Sequence, residues 1–207
     1  MSTIDLDGFR SNPLCRDPYD HLIVPGFLKA DAIAAIDADY PRIGAAGSFP
    51  VGELDFGPAF AALVDELQGK AVAEAFAEKF EVALDGRPTV VTVRGRCRAK
   101  DGRIHTDTET KIITVLVYMN AAWEADGGRL RVLRSGDDLD DYAAEVPPIA
   151  GTLLAFRRCA TSYHGHPPFV GERRVIQLNW VTDDAVAWRE RIRHRLTARL
   201  KKLNPFG

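Results

Sequence analysis

The sequence predicts an α+β fold, with helices gathered in the first 87 residues, a small antiparallel sandwich or barrel after them, and one helix at the end. Three observations carry this. Between Pro58 and Leu84, the residues Phe60, Leu63, Val64, Leu67, Ala71, Ala75 and Phe80 fall near one face at helical spacing. From residue 88 onward that pattern gives way to short β-branched runs separated by Gly, Asp and Pro. From 185 to 203, Trp188, Ile192, Leu196 and Leu200 recur every four residues. Helices before strands imply segregated layers, with helices covering one face of a sheet.

Residues 1–57 read as irregular, broken by one short helix near 29–40 in which Ile33, Ile36 and Tyr40 keep helical spacing. Gly44 to Pro58 reads as a loop. Pro58 suits a first helical turn, and Gly69 is a weak point where the long helix is expected to break. The expected strands are 89–94, 112–119, 129–133, 152–156 and 174–181. Together these make a single expected domain over 1–207: helical support in 1–87, a β core in 88–182, and a C-terminal helix in 185–203.

The balance of charge excludes several functions. Lys plus Arg total 27 and Asp plus Glu total 29, a net charge of −2, which disfavours a phosphate-backbone binder. The final helix carries seven basic residues and one acid, Glu190. Its apolar stripe is expected to dock on the domain, leaving the charges in water. No apolar run reaches the roughly 20 residues of a membrane span, so no membrane partner is expected. The first residues lack the basic start and apolar core of a signal peptide. Three widely spaced cysteines form neither a disulfide framework nor a thiolate zinc site, and a cytoplasmic location is the expectation.

The chemistry concentrates in two segments. In His105-Thr106-Asp107, residues two apart on an extended chain point to one side, so an imidazole and a carboxylate are presented together. A third imidazole would complete the open-sided two-histidine, one-carboxylate set of non-haem Fe(II) oxygenases. Taken alone, the tripeptide equally describes a polar surface loop. The second segment runs from Ser162 to Arg173, where His164 is followed nine residues later by Arg173. If one ends a strand and the other opens the next, both face one interior. A buried guanidinium needs an anion, and its fork matches a carboxylate. His166 competes with His164 for the ligand position, whereas His21 and His194 lie outside the pattern and read as surface residues. Gln177 and Asn179 share a face with Arg173 by alternation, and either meet a ligand or satisfy one another.

The ordered set His105-x-Asp107, then 56 residues, then His164 and Arg173 resembles the 2-oxoglutarate- and Fe(II)-dependent dioxygenases, in particular their prolyl-4-hydroxylase-like branch. The resemblance spans about 88–182. It includes Tyr118-Met119-Asn120-Ala121-Ala122-Trp123, the Gly127-Gly128 strand start, and Gly151-Thr152-Leu153-Leu154-Ala155-Phe156. It implies a double-stranded β-helix (jelly-roll) core, with Fe(II) on His105, Asp107 and His164. Cofactor contacts are implied for Arg173 and Tyr118 at the distal carboxylate of 2-oxoglutarate, with Gln177 and Asn179 nearby. O2 and a small-molecule or peptide substrate are the implied partners, ascorbate the implied reductant, and C–H hydroxylation the implied reaction. Demethylation, or a non-catalytic jelly-roll binding module, is the alternative. One departure stands out. The tyrosine that many relatives carry shortly before His-x-Asp is missing from Arg96-Cys97-Arg98-Ala99-Lys100-Asp101-Gly102-Arg103, so the substrate mouth is expected to be unusually basic.

Overall fold

A computed structural model describes residues 2–189 and 192. Two sheets face each other. The larger has six strands in the order β1 (His21–Val24), β7 (Leu153–Arg157), β4 (Lys111–Tyr118), β9 (Gly171–Val181), β3 (Thr89–Cys97) and β2 (Ser48–Pro50). The smaller has three: β6 (Tyr142–Val146), β5 (Leu130–Leu133) and β8 (His164–Gly165). Every paired strand runs antiparallel. Leu116, Tyr118, Leu154, Phe156 and Val175 of the large sheet meet Leu130, Val132 and Val146 of the small one in a shared interior. The expected jelly-roll core is therefore present.

The other face of the large sheet is covered by helices. These are α1 (Leu6–Ser11), α2 (Ala30–Ala38), α3 (Pro58–Leu67) and α4 (Lys70–Phe80). The long expected helix is two helices, divided at Gly69, which caps α4. Phe76 of α4 lies 4.4 Å from the Phe9 ring and 5.1 Å from that of Trp180, which ties the helical layer to β9, the strand that carries Arg173.

Several elements escaped the periodicity. β1 and β2 are the outermost strands of the large sheet and have four and three residues, too few for alternation to register. β6 reads Tyr-Ala-Ala-Glu-Val, low in β-formers, and β8 has only two residues. His21, expected at the surface, is buried in β1, with its Nδ1 2.9 Å from the carbonyl of Tyr19. At the C-terminus, Val186 and Ala187 pack against Val90 and Val181, whereas Trp188, expected on the docking stripe, is exposed. The rest of that predicted helix, with His194 and most of its basic residues, lies outside the described residues.

Two register shifts interrupt the large sheet. Arg94 pairs with Val175 but Arg96 pairs with Glu172, so β9 holds an extra residue beside β3. Lys111 pairs with Val181 but Ile113 pairs with Trp180, so β4 holds an extra residue beside β9.

Candidate active site

The backbone brings the two metal-type histidines together. His105 N donates to His164 O at 3.1 Å, and His164 N donates to His105 O at 3.0 Å. Each residue is thus directly opposite the other in an antiparallel pair. Their rings lie 4.3 Å apart between centroids. Asp107, two residues along, completes a group whose ligand atoms all lie within 4.8 Å of one another. His105 is exposed, while Asp107 and His164 are buried.

The tautomers are set by second contacts. His105 Nδ1 lies 2.8 Å from the carbonyl of Arg103, and His164 Nδ1 lies 3.0 Å from that of Ser162. A carbonyl only accepts, so each Nδ1 carries the proton and each Nε2 keeps a lone pair for a metal. Asp107 is held at both oxygens. Lys111 Nζ donates to Oδ1 at 2.6 Å and Thr114 Oγ1 to Oδ2 at 2.5 Å. Burial alone would raise its pKa, but Lys111, His164 and these hydrogen bonds outweigh that and hold it below the usual carboxylate range. Two neutral-capable imidazoles and one anionic oxygen, with one side open, suit a ferrous ion.

Arg173, Gln177 and Asn179 line the same cavity as the triad, a space of about 230 Å³. Arg173 is buried, and its Nε donates to Gly128 O at 2.7 Å. Gly128 has φ of +80°, and an added Cβ there would come within 2.6 Å of the Trp123 ring, so the Gly-Gly pair is required where the strand start meets Arg173. Arg173 Nη2 has no acceptor among the described residues. Tyr118 is fully buried beside it, with its ring centroid 5.4 Å from the guanidinium carbon, and its hydroxyl is also unpartnered. Burial raises the Tyr118 pKa, so the hydroxyl remains a donor. Unmet buried donors are costly, and a carboxylate would satisfy both. The residues present therefore fit both the ion and a dicarboxylate.

Gln177 and Asn179 do bond one another, Nε2 to Oδ1 at 3.3 Å, while both face the cavity. His166 stands in the cavity wall outside the metal-type triad, its Nδ1 2.9 Å from the carbonyl of Pro167. Gly102 makes room for it, since a Cβ there would sit 2.3 Å from His166 Nδ1. Thr106 and Thr108 do not line the cavity, whereas Lys111 does. Sequence reading passed over Thr114, which alternates with Leu116 and Tyr118 toward the interior, and Arg94, Asp101 and Ser48, which also line the cavity. Asn120 of the Tyr-Met-Asn motif has a different part. Its side chain accepts from Arg174 N at 2.8 Å and donates to Pro148 O at 2.6 Å, which pins the backbone next to Arg173.

His164 and His166 both have pKa values lowered to about 4: burial comes first, then repulsion from His105 for His164 and from Arg173 and Arg94 for His166. An unfolded chain protonates histidine near 6.5. Between 6.5 and 4 the unfolded state therefore holds more protons, and acid favours it by up to about 1.4 kcal/mol per pH unit for each histidine. Urea midpoints of the metal-free protein should stay level from pH 8 to 7 and fall steadily below 6.5. A midpoint still level at pH 5 would contradict this burial of neutral imidazole.

Residues 96–182 match the 2OG-Fe(II) oxygenase superfamily. No curated protein sequence matches the chain. Among solved structures, it is similar to a Pseudomonas putida prolyl-4-hydroxylase, with a TM-score of 0.55 and 19% identity over 85% of this chain and 90% of that one. A viral collagen prolyl hydroxylase from Paramecium Bursaria Chlorella virus-1, in complex with 2OG, gives 0.53 and 18% over 78% and 96%. A prolyl 4-hydroxylase from Phytophthora capsici gives 0.54 and 16% over 90% and 68%. Residues 96–182 are thus similar to the 2OG-Fe(II) oxygenase superfamily, and the fold is similar to that of the solved prolyl 4-hydroxylases.

Proposed function

We propose that this oxygenase hydroxylates a C–H bond of a prolyl or amino-acid-like substrate, with Fe(II) held by His105, Asp107 and His164 and 2-oxoglutarate anchored by Arg173. The observation that carries the reading is one cavity containing both the metal-type triad and a buried guanidinium whose Nη2 has no acceptor among the described residues. When bound, the ferrous ion supplies the O2 chemistry, in which 2-oxoglutarate and O2 become succinate and CO2 as C–H becomes C–OH.

The chain's own residues position and neutralise. The two imidazoles present Nε2 from a fixed backbone pair. Thr114 and Lys111 hold the Asp107 carboxylate so that one edge faces the imidazoles. Arg173 and Tyr118 offer donors to the far carboxylate of the cosubstrate, which fixes its length along the interior. Leu116, Leu130 and Val175 supply the apolar part of the cavity wall. A carboxylate at Asp107, where halogenases of this family carry a small residue, favours transfer of oxygen to carbon.

Iron-loaded protein given 2-oxoglutarate in air should release succinate slowly alone and faster with its substrate, which should gain one oxygen atom. Release of formaldehyde in step with succinate would point to demethylation instead. Absence of any succinate would sink the reading.

A further inference from the structure

On β3, next to the strand that carries Arg173, the cavity holds a second guanidinium. Arg94 on β3 reaches inward with its side chain 24% exposed. Nη1 donates to Asp101 Oδ2 at 3.2 Å and to Cys97 Sγ at 3.8 Å, and Nη2 donates to Ser48 Oγ at 3.1 Å. Two of its five N–H groups have no protein acceptor among the described residues. Asp101 does not fully neutralise it, because the same carboxylate also accepts from Arg98 N at 2.9 Å and Arg98 Nη2 at 3.3 Å.

Charge bookkeeping for the whole cavity agrees. Arg94, Lys111 and Arg173 face Asp101 and Asp107, which leaves one positive charge in excess. The ferrous ion and the 2-oxoglutarate dianion cancel each other, so the excess persists in the loaded site. An uncompensated cation in a partly dry pocket calls for an anion, and a guanidinium fork fits a carboxylate best. An internal prolyl residue brings only neutral amides and cannot meet that demand. The space is also tight. At about 230 Å³ it lies below the roughly 300 Å³ at which pockets for drug-sized ligands begin, and the cosubstrate takes part of it.

We propose that the substrate is a small carboxylic acid, amino-acid-like in size, whose carboxylate pairs with Arg94. This rests on the oxygenase reading above and narrows it. The test uses protein loaded with Mn(II), which does not turn over, plus 2-oxoglutarate, and reads thermal stabilisation by a panel of three- to eight-carbon carboxylic and amino acids. Each acid is paired with its primary amide, and a capped prolyl peptide is included. At least one acid, and not its amide, should stabilise the loaded wild type. In Arg94→Gln the apparent affinity for that acid should drop at least tenfold, Arg94→Lys should recover part of it, and both variants should bind 2-oxoglutarate within threefold of wild type. The same acid should raise succinate release by the iron-loaded wild type.

The proposal is overturned if amides or the capped peptide work as well as acids, if no acid in the panel stabilises the wild type, or if Arg94→Gln binds the acid unchanged. A parallel loss of 2-oxoglutarate affinity in Arg94→Gln also overturns it, because the carboxylate on Arg94 would then be the cosubstrate's. Failure of the underlying reading looks different: Mn(II)-loaded wild type would not bind 2-oxoglutarate at all.

Discussion

Replacing His105 with alanine is expected to end succinate formation and weaken metal binding by more than 100-fold. Loss of groups that merely orient a metal ligand costs about 10–100-fold in metal affinity or activity, so loss of a ligand itself should exceed that. His105 is the cleanest of the three to remove. It is exposed, and its ring makes one hydrogen bond, to the carbonyl of Arg103, so truncation leaves no buried charge. Asp107→Ala should be equally inactive but also less stable, because Lys111 and Thr114 lose their shared acceptor. Titration with Mn(II) and anaerobic addition of Fe(II) with 2-oxoglutarate separate the two effects. Full turnover by His105→Ala would remove the triad from the mechanism.

Arg173→Gln should act on the cosubstrate alone. Removing one partner of a buried charged pair costs about 2–5 kcal/mol, which corresponds to at least a 30-fold rise in the dissociation constant for 2-oxoglutarate. Metal affinity should change little, because the Arg173 side chain bonds Gly128 O and, among the described residues, no member of the triad. Calorimetric titration of the Mn(II)-loaded variant with 2-oxoglutarate measures this directly. An unchanged constant would take Arg173 out of the carboxylate-binding role. Lys would restore charge but not the fork, so Arg173→Lys should recover only part of the affinity.

His105 and Asp107 are legible in the sequence from their two-residue spacing, and His164, Arg173 and Tyr118 from their order and spacing in the family resemblance. Gln177 and Asn179 were reachable by period-two alternation from Arg173. Lys111 was not, because a register shift turns it inward against simple alternation from Thr114. The pairing of Arg94 with Asp101 was not legible, since it depends on the turn at 99–102 folding back on β3. His21 misled because an imidazole in a four-residue edge strand carries no periodic mark of burial. The helical layer was plain in α3 and α4, where apolar spacing persists for whole turns, and hidden in α1, whose six residues are too few.

The extra residue in β4 governs how much positive potential the cavity carries. Unbroken alternation from Thr114 would send Lys111 outward to water. As built, Lys111 enters to meet Asp107. The extra residue re-aims one cation, as such irregularities do beside reaction centres. The electrostatics of the interior is thus written into strand register as much as into residue identity, and a one-residue deletion in β4 would rewrite it without altering a single charged side chain.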